Sequence, residues 1–160
     1  MNTRNILIGA AAGAAATWLM DRMTTVMYER QPQEITDREN EARGGKQAVE
    51  VAAEKVLRAV GAEADEKKRK ALGTAIHWGL GVLAGATYGA LRERMPVRYG
   101  SGLVYGTAFW LVMDELVNSV FGLAPPPQKF PWQTHARGLA GHTVLGGAIE
   151  LPYDVIERWH

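Results

Sequence analysis

The chain has no cysteine. Disulfides, thiolate metal sites and cysteine nucleophiles are therefore excluded. Net charge is also nearly absent: 18 Lys and Arg against 17 Asp and Glu leave +1, so no bulk basic character points to nucleic acid as a partner. No hydrolase triad, phosphate-binding loop or zinc-protease motif occurs, and Gly79-Leu-Gly81 lies inside an apolar run rather than at a strand–helix turn, so it is no dinucleotide fingerprint. Internal repeats at domain-building periods of about 20–50 residues are missing too. At 160 residues there is room for one domain, taken here as 1–160.

What the chain has is glycine, 18 of them. The stretch Gly73–Arg92 is apolar apart from His77, and Gly73, Gly81, Gly85 and Gly89 fall on one i, i+4 row with His77 as a further rung. An interior glycine costs a helix about 1 kcal/mol against alanine. A membrane helix recovers that cost by close backbone packing. Similar rows recur as Gly9, Gly13 and Thr17, and as Gly102 and Gly106. The charges crowd into residues 21–70, so a near-neutral mean hydropathy of −0.15 hides apolar flanks. The expectation is an all-α integral membrane four-helix bundle with spans at 5–28, 71–91, 99–123 and 138–156. Its packing residues are Gly9, Gly13, Gly81, Gly85, Gly89, Gly102 and Gly106. A cleaved signal peptide is the competing reading of 5–20, with Arg4 as its positive end.

The polar connection 29–70 reads as helical. Thr36-x-x-Glu39 has the capping-box pattern, Gly44-Gly45 should break the helix it starts, and Val49, Ala52, Ala53, Val56 and Val60 give an amphipathic helix over 46–60. Lys46/Glu50, Glu54/Arg58, Glu63/Lys67 and Glu66/Lys70 are i, i+4 pairs. This helix packs on the bundle end or headgroups, or docks a second copy or a membrane-protein partner. Its excess of Lys and Arg favours a cytoplasmic placement. Around Pro96 and Arg98 the chain turns. Residues 124–132 are proline-rich and should be extended, Tyr99, Tyr105, Phe130 and Trp132 suit an interface, and Pro152 should kink the last span. His135 and His160 look like solvent or interface residues.

Within the spans, His77, Asp114, Asn118, His142 and Glu150 form the candidate polar cluster, with Asp21 able to snorkel outward. His142 and Glu150 are about two turns apart on one helix, so each needs a partner elsewhere. The bland role is interhelical glue. The sharper one is a proton or ion path. Haem between His77 and His142, or a transition metal on those histidines and a carboxylate, is a minor reading. No catalytic residue, metal or cofactor is assigned.

The order of these features resembles the YagU family of bacterial inner-membrane proteins, a domain of unknown function. The resemblance rests on Gly9-Ala-Ala-Ala-Gly13 followed by Trp18, His77 opening a glycine-containing span, Gly102 to Gly106, Pro125-Pro126, Pro131-Trp132, Gly141-His142 and Glu150. It implies four spans, cytoplasmic termini and a multi-pass inner-membrane address, and offers no catalytic residues. The function expected is a non-enzymatic scaffold or accessory subunit in the bilayer, with a proton- or ion-conducting bundle as the alternative.

Overall fold

The computed structural model describes residues 2–95 and 99–158; Pro96, Arg98 and His160 lie outside them. Among the described residues there is no strand. The helices are α1 (Thr3–Glu29), α2 (Gln33–Arg43), α3 (Ala48–Ala59), α4 (Glu66–Leu91), α5 (Ser101–Trp110), α6 (Asn118–Val120) and α7 (Trp132–Arg158). A π-helical segment, Leu111–Val117, joins α5 to α6, and 3₁₀ turns occupy Arg92–Arg94 and Pro127–Lys129. The last of these lies where an extended loop was expected. Proline is tolerated there because the first turn of a helix needs no N–H from it.

The all-α expectation holds, and the membrane does not. Among the described residues no helix is long and apolar enough to cross a bilayer. That overturns the four spans, the transmembrane bundle and the multi-pass inner-membrane address. The reason lies in the residues that suggested them. Glycine and alanine let backbones touch but add little apolar surface. Charges break up what remains: Asp21 and Arg22 lie within α1, and α4 opens on Glu66-Lys-Lys-Arg-Lys70. Asp114 and Glu115 sit in the π segment, and Arg137, Glu150 and Asp154 in α7.

The glycines instead make two locked helix pairs. In the first, α1 lies against α4 so closely that a Cβ on Gly9 would run into the Gly85 carbonyl, and one on Gly13 into the Gly81 carbonyl. A Cβ on Gly89 would strike the Asn5 carbonyl in the same way. In the second, α5 lies on α7, with Gly102 and Gly106 against the backbone of Gly146 and His142. The pairs meet along α1 and α7, where Ala16, Met20, Leu145, Ile149 and Tyr153 form a buried cluster with Tyr88. Tyr153 donates its hydroxyl to the Asn5 carbonyl at 2.5 Å, and Tyr105 donates to the Ala84 carbonyl at 2.8 Å. Tyr105 is thus an internal strut, while Tyr99 is exposed. Helix α7 runs on through Pro152 to Arg158.

The polar connection folds differently in detail. Pro32, not Thr36, caps α2, and Glu39 is fully buried. Gly44 (φ 63°) and Gly45 (φ 80°) end α2 in the left-handed region that glycine enters without strain. Lys46 pairs with Glu54 at 2.6 Å rather than with Glu50, and Arg58 pairs with Glu54 as well. Asp65 caps α4 by accepting from the Lys68 N–H at 2.8 Å, which leaves Glu63 outside the helix. Lys70–Glu66 closes at 2.7 Å. Helix α3 turns its apolar face to α4, burying Ala53 and packing Val49 and Glu50 on Gly73. The stripe expected to dock a partner is largely used within the chain. Val56 and Val60 remain exposed.

Candidate functional site

The structure divides the expected polar cluster. His77, Asp114, Asn118 and His142 surround one cavity of about 320 Å³, while Glu150 lies at a separate arginine centre.

Each glycine-locked pair brings one histidine–aspartate pair to the cavity. On the first, His77 Nε2 is 2.8 Å from Asp21 Oδ1, so Asp21 turns inward from α1 instead of snorkelling. On the second, His142 Nδ1 donates to the Gly138 carbonyl at 3.0 Å, since a carbonyl can only accept. Its contact with Asp114 Oδ2 is longer, 3.7 Å. Asp114 is half-buried, with 37 % of its side-chain surface exposed, and it lines the cavity. Desolvation pushes its carboxyl above the usual range, Glu115 adds to this, and His142, Arg43 and His77 oppose it. Apolar contact comes from Met20, Phe109, Met113 and Leu145, and Arg43 and Gln47, flanking the α2–α3 connection, line it as well.

The π segment explains how Asp114 and Glu115 serve neighbouring places. Its extra residue per turn displaces side chains from the 3.6-residue row, a feature frequent at functional sites. A second cavity, of about 190 Å³, shares Asp114, Asn118 and Thr134 with the first. There Glu115 meets His135 Nδ1 at 2.6 Å, and His135 Nε2 donates to the Pro127 carbonyl at 3.0 Å. His135 is therefore part-buried and held by two partners within the chain.

Two ionic centres were missed. Glu39, with none of its surface exposed, takes Arg43 and Arg137, and Arg137 also donates to Gln31 Oε1 at 2.8 Å while lying over the Tyr28 ring. Arg92 donates to Glu150 at 3.2 Å, Asp154 at 3.2 Å and Glu157 at 3.3 Å. Glu150 in turn accepts from the Ser101 and Gly102 N–H groups, each at 3.1 Å, and so caps α5 from α7. Glu39 thus serves an ion-pair centre rather than the capping box its spacing from Thr36 suggests. The available signal was three acids at helical spacing, Glu150, Asp154 and Glu157, on an element with too few bases of its own.

Among the described residues no three His, Asp or Glu side chains converge to hold a metal ion. The partners of the two cavity histidines are Asp21 for His77, and the Gly138 carbonyl and Asp114 for His142. No family model matches the chain, and neither does any curated protein or solved structure. The resemblance to the YagU family gains no support from them, and the functional reading rests on geometry alone.

Proposed function

We propose that the chain is a non-enzymatic helical scaffold that acts by self-association. The observation that carries this is the outer face of α5 and the segment after it. Leu103, Val104, Leu111, Val112, Leu116 and Val120 all point outward, with Val104 and Val120 exposed to 71 % and 68 %. The inner face of α5 is already committed to α7 through Gly102 and Gly106, and of the outer residues Leu103 also reaches Gly147 of α7. Contiguous apolar surface of this kind marks an interaction site. From Tyr99 to Met113 the sequence holds no charged residue. Such a face can meet a copy of itself across a two-fold axis with no like-charge penalty.

Sedimentation velocity over a concentration series tests the reading. The wild type is expected to associate. The double substitution Val104→Glu with Leu111→Glu should give a monomer of unchanged helicity, since both side chains point away from the fold. A wild type that stays monomeric across the series would remove the proposal.

A further inference from the structure

We infer that the outer ridge of α5 in one copy sits in a groove between α1 and α7 of a second copy, and the reverse, around a two-fold axis. This rests on the self-association proposed above and gives it a geometry. The groove has a volume of about 680 Å³. Ala12 and Ala16 lie buried along it, while Trp18, Leu19, Leu151 and Val155 stand exposed around them. Small residues thus make a depression, and large apolar ones make its rims. No charged side chain lines it. Arg22 reaches over the Trp18 ring, 5.6 Å from its centroid, so the nearest cation is held at the rim.

The occupant follows from continuity, shape and size. Leu103 of α5 comes within 3.1 Å of where a Cβ on Gly147 would stand. Gly147, Leu151 and Val155 succeed one another at i, i+4 spacing on one face of α7. The apolar surface of α5 therefore passes over α7 into the groove without a break. Val104, Ala108 and Leu111 form an exposed ridge at i, i+4 and i+7, and such ridges pack into grooves between side chains of a facing helix. From Tyr99 to Met113 that ridge is uncharged, as the groove is, so the contact buries no unpaired charge. A stable interface needs about 20–30 residues a side. The α5 strip falls well short of that alone. The groove extends it, supplies Trp18 as an aromatic anchor, and is used twice when a two-fold axis relates the copies.

The chain has no cysteine, so single-cysteine variants report contacts without background. With a short bis-maleimide, Val104→Cys mixed with Val155→Cys should give a cross-linked dimer, and each variant alone about tenfold less. In sedimentation velocity, Ala15→Trp, which fills the groove with another apolar group, should weaken dimerisation about tenfold or more, as should Leu151→Glu. Val60→Glu, at an exposed apolar position just past α3, should leave it unchanged. Circular dichroism checks that the variants fold, and if the groove variants do not, the cross-linking decides. A wild type that stays monomeric removes self-association and this geometry together. A wild-type dimer broken by Val104→Glu with Leu111→Glu, but indifferent to folded groove variants, keeps the first and overturns the second. So does Val104→Cys that cross-links to itself with no mixed product, growth beyond the dimer, or a Val60→Glu effect as large as that of Leu151→Glu.

Discussion

Glu39 holds two arginines in a place with no solvent contact, which makes it the residue whose loss the fold should feel most. Removing one partner of a buried pair leaves the others charged and unmatched, at a cost of about 3–5 kcal/mol. Glu39→Ala should lower unfolding free energy by about that much in urea titration. At the Arg92 centre, among the described residues, three carboxylates approach one guanidinium. Desolvation, and then the neighbouring Glu150, raise the Asp154 carboxyl above its ordinary 3.8. A carboxyl that binds its proton more tightly when folded loses stability as pH rises from the unfolded value through the folded one. Asp154→Asn, which keeps an oxygen for Arg92, should therefore be more heat-stable than the wild type at neutral pH. The difference should vanish as pH falls towards 3.8. A gap that stays constant with pH would assign the effect to packing instead. Neither centre was legible in the sequence, because each joins residues far apart in the chain: Glu39 to Arg137, and Arg92 to Glu150. Local spacing offered Glu39 a nearer and false partner in Thr36.

At the scale of the helix, the two faces of α4 make opposite demands on glycine. A Cβ on Gly85 would drive into the Gly9 carbonyl and reach the Gly13 Cα at 2.8 Å, and backbone cannot rotate away as a side-chain tip can. Gly85→Ala should cost about 1–3 kcal/mol by overpacking, and more if α1 and α4 separate. Gly79 has nothing within 4 Å of its Cβ position. Gly79→Ala should gain up to about 1 kcal/mol from helix propensity alone. Thermal melts of the two variants should shift in opposite directions. The i, i+4 rows were readable because close helix contact needs small residues in register. That need is the same in water and in lipid, so the rows carry no information about the medium, and the bilayer inferred from them was an error. The row on α5 was readable through Gly106 but not beyond it. The π segment changes the period, and in it Asp114 lines both cavities while Glu115 lines only the second.

For the whole molecule, the issue is whether two glycine-locked pairs behave as one unit. They share a single buried cluster, and its central members belong to α7 while facing α1 and α4. Ile149 has no exposed surface. Truncating it to alanine removes apolar contact and leaves a cavity, a change that costs about 2–5 kcal/mol. If the seam integrates the fold, Ile149→Ala should lower the melting temperature of both halves together. Far-UV dichroism, which follows all the helices, should then move in step with near-UV dichroism, which follows the packing of all the aromatic side chains, Tyr88, Tyr105 and Tyr153 at the seam among them. If the pairs are independent, the near-UV signal should melt first while most of the helicity persists. The polar contacts argue for the first outcome. Tyr153 on α7 bonds the Asn5 carbonyl of α1, and Tyr105 on α5 bonds the Ala84 carbonyl of α4. Burial pushes both phenols up to about 12, so neither strut ionises below strongly alkaline pH. Integration by this seam should accordingly persist across the whole neutral range, and a pH-dependent splitting of the two signals between pH ~6 and ~8 would contradict it.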